Sequence, residues 1–446
     1  EEPARAVRWY AQAAEQALKA NDLAAAIERA ELGITCGAAG EVAGGLRLVQ
    51  AEGHVWRGEY LLAEQRAQEA SAELGAGSAA WLRAQGQAII AAGKHGQLEH
   101  VEACVQAVRE AIPEFGARSA QVMSLSWAAN YLIFGGRYRA ADELIATIAE
   151  LAGDLSEIDL PAVALVHQAR SVRASVSGDL GACLGGMESA LLAFEQGGDL
   201  RNACAMRANM GYVYCELGDF DRADAALHQA LSAADRMGLR ELGAAILHNL
   251  GRVLGLRGFL DQGKAMEVKA IESFGEQGDP RLEGVARVYL AEIFVAGADF
   301  ASADREAAAA IDMLTVSPAL RVLAQGVRAR ALLGLGRVDD AFAVASEAIT
   351  ALESLGEIEE GEASVRLVHA ECLAARDAHA EARVAIVAAR ARLLARAARI
   401  AEAAWRQRFL ADVPANAKVL ALAEAWEKTA ASPPAISPVS ARTMTA

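Results

Sequence analysis

Residues 209–231, NMGYVYCELGDFDRADAALHQAL, contain two helical patterns separated by a short turn. Gly211 is a small residue inside the first apolar run, and Gly218 opens the turn signal Gly-Asp-Phe. In the second pattern, alanines recur at helical spacing, for example at Ala223 and Ala230. Side chains this small let two helices approach closely where they cross. The stretch therefore predicts a helical hairpin, in which two short helices fold back on each other.

The hairpin pattern recurs on both sides of this stretch. When the residue after the turn glycine is taken as the anchor, successive anchors are 37 to 42 residues apart. A period of this length is the signature of a helical repeat array, in which each unit contacts its neighbours. The spacing predicts ten hairpins, with anchors at Asp22, Glu59, Gln97, Arg137, Asp179, Asp219, Phe259, Asp299, Arg337 and Ala378.

Three columns of residues support this register. Eight positions before the anchor, nine of the ten residues are small, and four positions after it nine of ten are small again. Both exceptions, Ile89 and Val101, belong to the third repeat. The residue directly after the anchor is bulky and apolar in nine repeats, with His379 as the departure, and we expect it to fill the gap between hairpins. The columns predict an all-α array of close-packed hairpins.

The amino-acid composition favours helices and argues against nucleic-acid and membrane partners. Hydrophobic residues are 54% of the chain and aromatic residues only 5%, which favours helix over strand. The formal net charge of -15 argues against non-specific binding to nucleic acid or to an anionic membrane, since both favour a basic surface. No apolar run reaches the ~18 residues of a membrane span, and the N-terminus carries no signal peptide. We expect no nucleic-acid and no membrane partner.

The cysteines indicate a compartment. They are scattered without a C-x-x-C pair, which predicts free thiols, several of them buried in helices, in a reducing cytoplasm. The chain begins with Glu1 inside a repeat, so we interpret it as a piece of a longer protein. The six cysteines are Cys36, Cys104, Cys183, Cys204, Cys215 and Cys372.

The repeat residues resemble a known family. Residues 209–211, Tyr214, 218–220 and 248–251 are similar to the tetratricopeptide repeat (TPR) pattern. The usual period of that repeat is ~34 residues, so these hairpins of roughly 40 residues are longer by about six. The resemblance implies a right-handed α-α superhelix of about ten long hairpins that binds a protein or peptide partner in its concave groove.

The periodic pattern ends after the tenth hairpin. An alanine- and arginine-rich helix follows, and Pro414 then separates it from a segment with an apolar face that ends at Trp426. We predict a repeat array over 1–400, C-terminal capping helices over 401–428, and a disordered tail rich in Pro, Ser and Thr over 429–446.

A second resemblance concerns the two ends of the array. Residues 405–406 (Trp-Arg), 409–410 (Phe-Leu) and 413–416 (Val-Pro-Ala-Asn) look like the closing segment of TPR regions in large bacterial signalling ATPases. Residues 9–10 (Trp-Tyr) and 56–59 (Trp-Arg-Gly-Glu) resemble the start of the TPR region of bacterial serine/threonine protein kinases with an AAA/STAND-type ATPase module.

This second resemblance implies that the chain is the C-terminal sensing region of such a kinase. The kinase and ATPase domains then lie upstream in cis, and we expect an upstream domain to dock on Trp9 and Tyr10 of the first helix. Two alternatives stay open. One is a freestanding TPR adaptor, and the other is the effector-binding TPR region of a LuxR-type transcription regulator.

The chain carries no catalytic motif of the kinase, serine hydrolase or zinc protease type, so we expect no enzyme activity and no cofactor. Residues 258–264 have the GxxxxGK spacing of a phosphate-binding loop. That loop needs a preceding strand and a Ser or Thr after the lysine, whereas Ala265 stands there. The stretch is interpreted as the turn of the seventh hairpin.

Four potential metal ligands lie close together at His95, Glu99, His100 and Cys104. His100 and Cys104 share a helix face, but a metal site needs three or four converging ligands. We interpret them as turn residues and a buried thiol, and we predict no metal.

The predicted working surface is the inner face of the superhelix. Asn130, Tyr212, Arg252 and Arg330 stand seven positions before the anchor, a site that faces inward in this family, and His248 stands eleven before it. Their donors suit the backbone or carboxylates of an extended peptide, although a merely solvated face is the alternative. We expect Arg252→Glu to weaken partner capture without unfolding the array.

Overall fold

The chain folds into an α-helical repeat solenoid. The computed structural model describes residues 2–356, 358 and 360–428, and these residues form 22 α-helices and no β-strand. The first helices of successive hairpins are α1 (Glu2–Lys19), α3 (Glu41–Trp56), α5 (Ala79–Lys94), α7 (Arg118–Phe134), α9 (Leu160–Val176), α11 (Leu200–Glu216), α13 (Arg240–Leu256), α15 (Pro280–Ala296), α17 (Pro318–Gly334) and α19 (Glu362–Ala375).

Each first helix packs on the second helix that follows it. The second helices are α2 (Leu23–Thr35), α4 (Tyr60–Glu73), α6 (Leu98–Glu110), α8 (Tyr138–Ala152), α10 (Leu180–Gln196), α12 (Phe220–Met237), α14 (Leu260–Gln277), α16 (Phe300–Met313), α18 (Val338–Leu355) and α20 (His379–Arg399). The last two helices are α21 (Ala403–Ala411) and α22 (Pro414–Lys428).

The predicted anchors are the residues at which the second helices begin. All ten occupy the N-cap of a second helix. Asp22, Asp179, Asp219 and Asp299 each accept a hydrogen bond from the backbone N–H three residues later. Such a bond satisfies one of the N–H groups that a helix start leaves without a partner. The predicted register of the hairpins is therefore present in the structure.

The residue before the anchor adopts a left-handed backbone at every turn. Its φ lies between 58° and 86° in all ten turns. Glycine, which has no Cβ to clash in this region, occupies seven of the ten positions. Asn21, Ala298 and Asp377 adopt the same conformation in the other three turns. The shape of the turn is thus kept even where the glycine is missing.

Small residues let the paired helices touch. A Cβ built on Gly263 of α14 would lie 2.8 Å from the backbone oxygen of Gly251 on α13, closer than any real contact. In the third hairpin, Ile89 and Val101 occupy the crossing and are fully buried, and α5 packs more extensively on α7 than on α6. We infer that the larger side chains hold α5 and α6 apart.

Gly263→Ala is expected to destabilise the fold by about 1–3 kcal/mol, because the added methyl meets backbone that cannot rotate away. Gly243→Ala in α13 is the matched control, since no atom lies within 4 Å of its added Cβ. That control is expected to stabilise by about 0.5–1 kcal/mol through helix propensity. Urea denaturation followed by circular dichroism checks both, and equal midpoints for the two variants would contradict the close crossing.

The superhelix is tight enough that one turn rests on the next. The side-chain amide of Asn21 donates to the carbonyl oxygen of Met237, and Gly96 lies beside Val316. Three further glycines at hairpin turns repeat this relation. These five contacts join residues separated by 216 to 220 positions, whereas Gly136 also lies beside Pro318, 182 positions away. The remaining pairs are Gly58 with Gln277, Gly136 with Leu355, and Gly178 with Arg396.

Charged side chains also join the two turns. Nζ of Lys94 lies 2.7 Å from Oε1 of Glu241 and 3.2 Å from Oδ2 of Asp279. Burial acts to lower the pKa of Lys94, but Glu241, Tyr60 and Asp279 together outweigh it and raise that pKa well above its usual value. Arg201 similarly reaches Glu52 at 2.9 Å. Breaking such a buried pair is costly because one charge is left without compensation.

The last two helices close the inner side of the array. α22 packs on α19 and α20, with Trp426 fully buried. Trp405 on α21 lies against Tyr214, with ring centroids 6.3 Å apart, and a guanidinium nitrogen of Arg408 is 3.6 Å from Asp219. These helices therefore contact both the tenth and the sixth hairpin. The predicted tail, 429–446, lies outside the described residues.

Two further sequence expectations concern compartment and membrane. All six cysteines are free thiols, and only Cys36 has appreciable exposure. Among the described residues, none of the helices is long and apolar enough to cross a membrane.

Candidate functional site in the lumen

A cavity of about 300 Å³ lies on the inner side of the later helices. The wall is formed by α13, α15, α17 and α19, and residues of α20, α21 and α22 close it. One part of the wall is apolar and includes Leu256, Val295, Val327, Phe409 and Val413. The volume lies at the lower end of the range typical of small-ligand sites. We call this space the lumen cavity.

Alternating charges occupy one inward position beside the lumen cavity, which Arg252, Glu292 and Arg330 line, while Glu371 pairs with Arg330. Arg252, Glu292, Arg330 and Glu371 stand at the same inward position of four successive hairpins. Nη1 of Arg330 is 2.8 Å from Oε2 of Glu371, and Nζ of Lys418 on α22 is 2.6 Å from Oε1 of the same carboxylate. Burial acts to raise the pKa of Glu371, but the two cations lower it below the usual value. Lys418 thus ties the final helix to the row of charges.

The guanidinium of Arg252 contacts two aromatic rings and two carboxylates. Its guanidinium lies 4.4 Å from the ring centroid of Tyr289 and 5.7 Å from that of Tyr212. It pairs with Glu216 at 2.6 Å and with Glu360 at 2.9 Å, and the hydroxyl of Tyr289 donates to Glu360 at 2.7 Å. A carboxylate at position 252 would face Glu216 and Glu360 in a buried setting. Arg252→Glu is therefore expected to destabilise the array, contrary to the expectation from the sequence.

A second group of arginines surrounds Glu362. Nε of Arg366 is 2.9 Å, Nε of Arg392 is 3.0 Å, and Nη1 of Arg396 is 3.6 Å from its carboxylate oxygens. Burial acts to raise the pKa of Glu362, whereas hydrogen bonds from Arg392 and Arg366 lower it below its usual value. The carboxylate belongs to the first residue of α19, where the helix dipole also favours a negative charge. All four residues line the lumen cavity.

Glu292 is the exception among the cavity carboxylates. It lines the lumen cavity, and among the described residues no cation lies within ion-pair distance of it. Burial raises its pKa above the usual value, and the attraction of Arg252 only partly offsets that effect. The surroundings therefore stabilise the charge of Glu292 less than those of Glu362 and Glu371.

His248 and Glu267 form a buried pair beneath this wall. Nδ1 of His248 and Oε2 of Glu267 are 2.9 Å apart, and the imidazole stacks on the ring of Tyr289 with centroids 4.5 Å apart. Burial lowers the pKa of His248 to about 3 and raises that of Glu267 well above its usual value. Burial therefore favours the uncharged form of both side chains.

The two pKa shifts oppose each other in the pH dependence of stability. Below pH 6.5 the unfolded chain protonates His248 and the folded chain does not, so this residue destabilises the fold as the pH falls. Above pH 4.5 the folded chain keeps the proton on Glu267 to a higher pH than the unfolded chain does, so that residue stabilises the fold as the pH falls towards 4.5. The two effects therefore oppose each other.

Glu267→Gln is expected to remove the stabilising contribution of Glu267 while keeping a donor for His248. As the pH falls from 6.5 to 4.5, the variant should lose stability relative to the wild type, by at most about 1.4 kcal/mol per pH unit. His248→Gln is the matched variant and should gain stability as the pH falls over the same range. Urea midpoints measured at each pH check the signs, and parallel pH profiles for all three proteins would contradict the opposite pKa shifts of His248 and Glu267.

The structure separates the five residues predicted to contact a partner. Arg252 and Arg330 line the lumen cavity, and Tyr212 lies against Arg252. Asn130 and His248 are buried and do not line it. Whether any of the five contacts a partner stays a prediction.

The residues that resemble a phosphate-binding loop and a metal site make contacts typical of helix surfaces and cores. Residues 258–264 run from the turn after α13 into α14, and Lys264 pairs with Asp261 at 2.8 Å. Nδ1 of His100 lies 2.6 Å from Glu64, and burial raises the pKa of Cys104 to about 11. Within the described part of the chain, no group of three His, Cys, Asp or Glu side chains is arranged to hold a metal ion.

Several cavity residues were not predicted as functional. Arg392 and Arg396 are one helical turn apart on α20, as are Glu362 and Arg366 on α19, so each pair shares a helix face. This spacing was visible in the sequence, but it did not show that the two faces meet. Lys418 enters the lumen only because α22 folds back, and no sequence signal marks it.

The fold and the charge-lined lumen define the class, an α-helical solenoid of the TPR-like kind. No protein-family model and no curated protein sequence matches the chain. Among solved structures, a Rap protein complexed with competence and sporulation factor is similar with a TM-score of 0.53 at 12% identity. That match covers 78% of this chain and 98% of the Rap protein.

Two other solved structures have lower similarity. A signal transduction ATPase with numerous domains (STAND) from Pyrococcus horikoshii, which carries a tetratricopeptide repeat sensor, matches with a TM-score of 0.47 at 15% identity. The match covers 77% of this chain and 52% of that protein, so the chain spans about half its length. Yeast Tom70 matches with a TM-score of 0.39 at 11% identity over 96% of both chains. At these identities the likeness concerns the fold.

Proposed function

We propose that this chain is a non-catalytic scaffold that binds a protein or peptide partner on the inner face of its superhelix and senses a signal through it. The row of charges from Arg252 to Glu371 along the lumen cavity carries the proposal. Guanidinium and carboxylate groups placed at one register suit the donors and acceptors of an extended peptide backbone. The similar Rap protein, which was crystallised with a bound factor, is consistent with this use of the fold.

We further propose that the chain belongs to a multidomain bacterial serine/threonine protein kinase with an ATPase module. The support is the resemblance of residues 9–10, 56–59 and 405–416 to the TPR regions of such proteins. Trp9 is 60% exposed and packs edge-on against Tyr10, which offers an apolar surface to an upstream domain. The free thiols agree with a cytoplasmic location.

The gene that encodes the chain distinguishes this parent from the alternatives. Kinase and Walker motifs upstream would support the kinase. A start codon directly before Glu1 would favour a freestanding adaptor, and a helix-turn-helix domain would favour a transcription regulator.

Blocking the lumen is expected to abolish partner binding without changing its charges. Ala296 lines the lumen cavity, so Ala296→Trp fills part of the space. Peptides selected on the wild-type chain from a random display library should bind this variant at least about tenfold more weakly in fluorescence polarisation. Ala225→Trp, on the exposed side of α12, is the control and should bind as the wild type does. Selection that yields no peptide, or equal binding by both variants, would exclude the inner face.

A further inference from the structure

We propose that the face of the sixth hairpin (α11 and α12) that α21 contacts is a docking site for a short amphipathic helix of a partner protein, one that carries two aromatic residues and an arginine. In this structure the chain's own α21 occupies that site. The inference rests on the proposed function, since it assigns the kind of partner segment that the inner face accepts.

α21 reaches across the lumen to the sixth hairpin through one face. Trp405, Arg408 and Phe409 stand at positions i, i+3 and i+4, so they share that face of the helix. The ring of Trp405 lies 6.3 Å from that of Tyr214. A guanidinium nitrogen of Arg408 lies 3.6 Å from Oδ1 of Asp219, and Phe409 is buried and lines the lumen cavity. Helices that bind in grooves use a few anchor residues at this spacing.

The contacted surface suits an aromatic and basic segment. Arg222 on α12 lies over the rings of both Tyr214 and Trp405, at 5.9 Å and 5.7 Å from their centroids. Asp219 pairs with Arg222 as well as with α21, and its side chain is only 8% exposed. Burial and the nearby charge of Glu188 on α10 raise the pKa of Tyr214. α21 itself contains two arginines and no carboxylate, in a chain with a formal charge of -15, so charge complementarity favours a basic segment here.

α21 is held more weakly than the helices around it. Phe409 is its only buried residue, and α21 packs less extensively on α20 than α22 does. The side chain of Arg408 is 46% exposed, a setting in which an ion pair with Asp219 contributes little to stability. A helix of nine residues is also too short to be stable alone in water. A partner helix with the same anchors can therefore compete for this surface.

Displacement of α21 leaves the rest of the array in place. Ile400, just before α21, is buried, and Val419 and Trp426 of α22 are buried after it. The segment can thus leave the sixth hairpin as a strap that is held at both ends. Phe409 then vacates part of the lumen cavity, which becomes available to an aromatic side chain of the partner.

Binding of α21 in trans tests the site. The probe is a fluorescein-labelled synthetic peptide of residues 400–416. The receptor is the 446-residue chain with Trp405→Ala, Arg408→Ala and Phe409→Ala, which we call the emptied receptor because these changes remove the anchors of its own α21. In fluorescence polarisation the peptide should bind the emptied receptor with a Kd below about 100 µM. It should bind the wild type at least about tenfold more weakly, since α21 occupies the site in cis at a high effective concentration.

Matched variants locate the binding. A peptide with Trp405→Ala and Phe409→Ala should bind the emptied receptor at least about tenfold more weakly, because aromatic anchors carry most of the binding energy. Tyr214→Ala in the receptor should weaken the wild-type peptide about fivefold or more. Phe259→Ala, at an exposed turn residue of the seventh hairpin, is the control and should leave binding unchanged.

Circular dichroism checks that the emptied receptor is folded. If it is not, the chain with Trp405→Ala and Arg408→Glu replaces it under the same criteria. Both side chains are partly exposed, and the buried Phe409 then stays in place.

A disulfide between α21 and the sixth hairpin tests displacement in the intact chain. A Cβ built on Gly218 would lie 3.2 Å from that of Asp412, close to the roughly 3.5–4.5 Å of disulfides. Gly218 has a left-handed backbone, and Asn21, Ala298 and Asp377 show that this turn accepts a side chain there. Display-selected peptides should bind the oxidised Gly218→Cys, Asp412→Cys chain at least about tenfold more weakly than the reduced chain. Asp412→Cys alone is the control and should bind alike in both states.

Four results would overturn the proposal. They are no binding of the peptide to the emptied receptor, equal binding by the emptied receptor and the wild type, equal binding of display-selected peptides by the oxidised and reduced chains, and a wild-type dimer in light scattering that the emptied receptor does not form. The last would identify a second copy as the source of the helix. Failure here is distinct from failure of the proposed function. Display-selected peptides that bind the oxidised chain keep the scaffold and remove this inference, whereas binding in trans without any display-selected peptide does the reverse.

Discussion

Close contact between paired helices at their crossings sets the shape of the hairpins and, through them, of the solenoid. Paired helices approach so closely at Gly251 and Gly263 that no side chain fits between them. Helices that pack closely form hairpins with a small cross-section. An array of such hairpins can follow a superhelix with strong curvature. The sharp curvature brings one turn of the superhelix onto the next, as the contact between Gly96 and Val316 illustrates.

A narrow superhelix partly buries the polar side chains that point towards its axis. Inward side chains that an open solenoid would expose to water are partly buried here, so they pair with one another. Arg252 reaches Glu360, more than two hairpins away, and Lys418 reaches Glu371 from the final helix. Low polarity around these groups strengthens each pair and raises the cost of breaking it. The lumen cavity is the volume that this network leaves unfilled.

Local signals made the fold predictable, while the site depended on distant contacts. The anchors, the turns and the crossing columns each rest on a few neighbouring residues, and even the irregular third hairpin was visible at Ile89. The inward register led to Arg252 and Arg330 as residues of the lumen. Nothing periodic indicated that α22 would fold back to bring in Lys418, and no pattern showed how far His248 is buried. Those facts follow from how separate segments pack, which spacing alone does not encode.

The contacts between stacked turns restrict how such a protein can change. In an open solenoid, a repeat can be gained or lost because each unit touches only the next. Here, deletion of a hairpin between two contacting residues, for example the fourth, would change the separation of Lys94 from Glu241 and of Gly58 from Gln277 by a whole unit. Gain or loss of a single repeat would therefore also disturb contacts between distant hairpins. Its unfolding should be concerted over both turns, because loss of one end also uncovers the other.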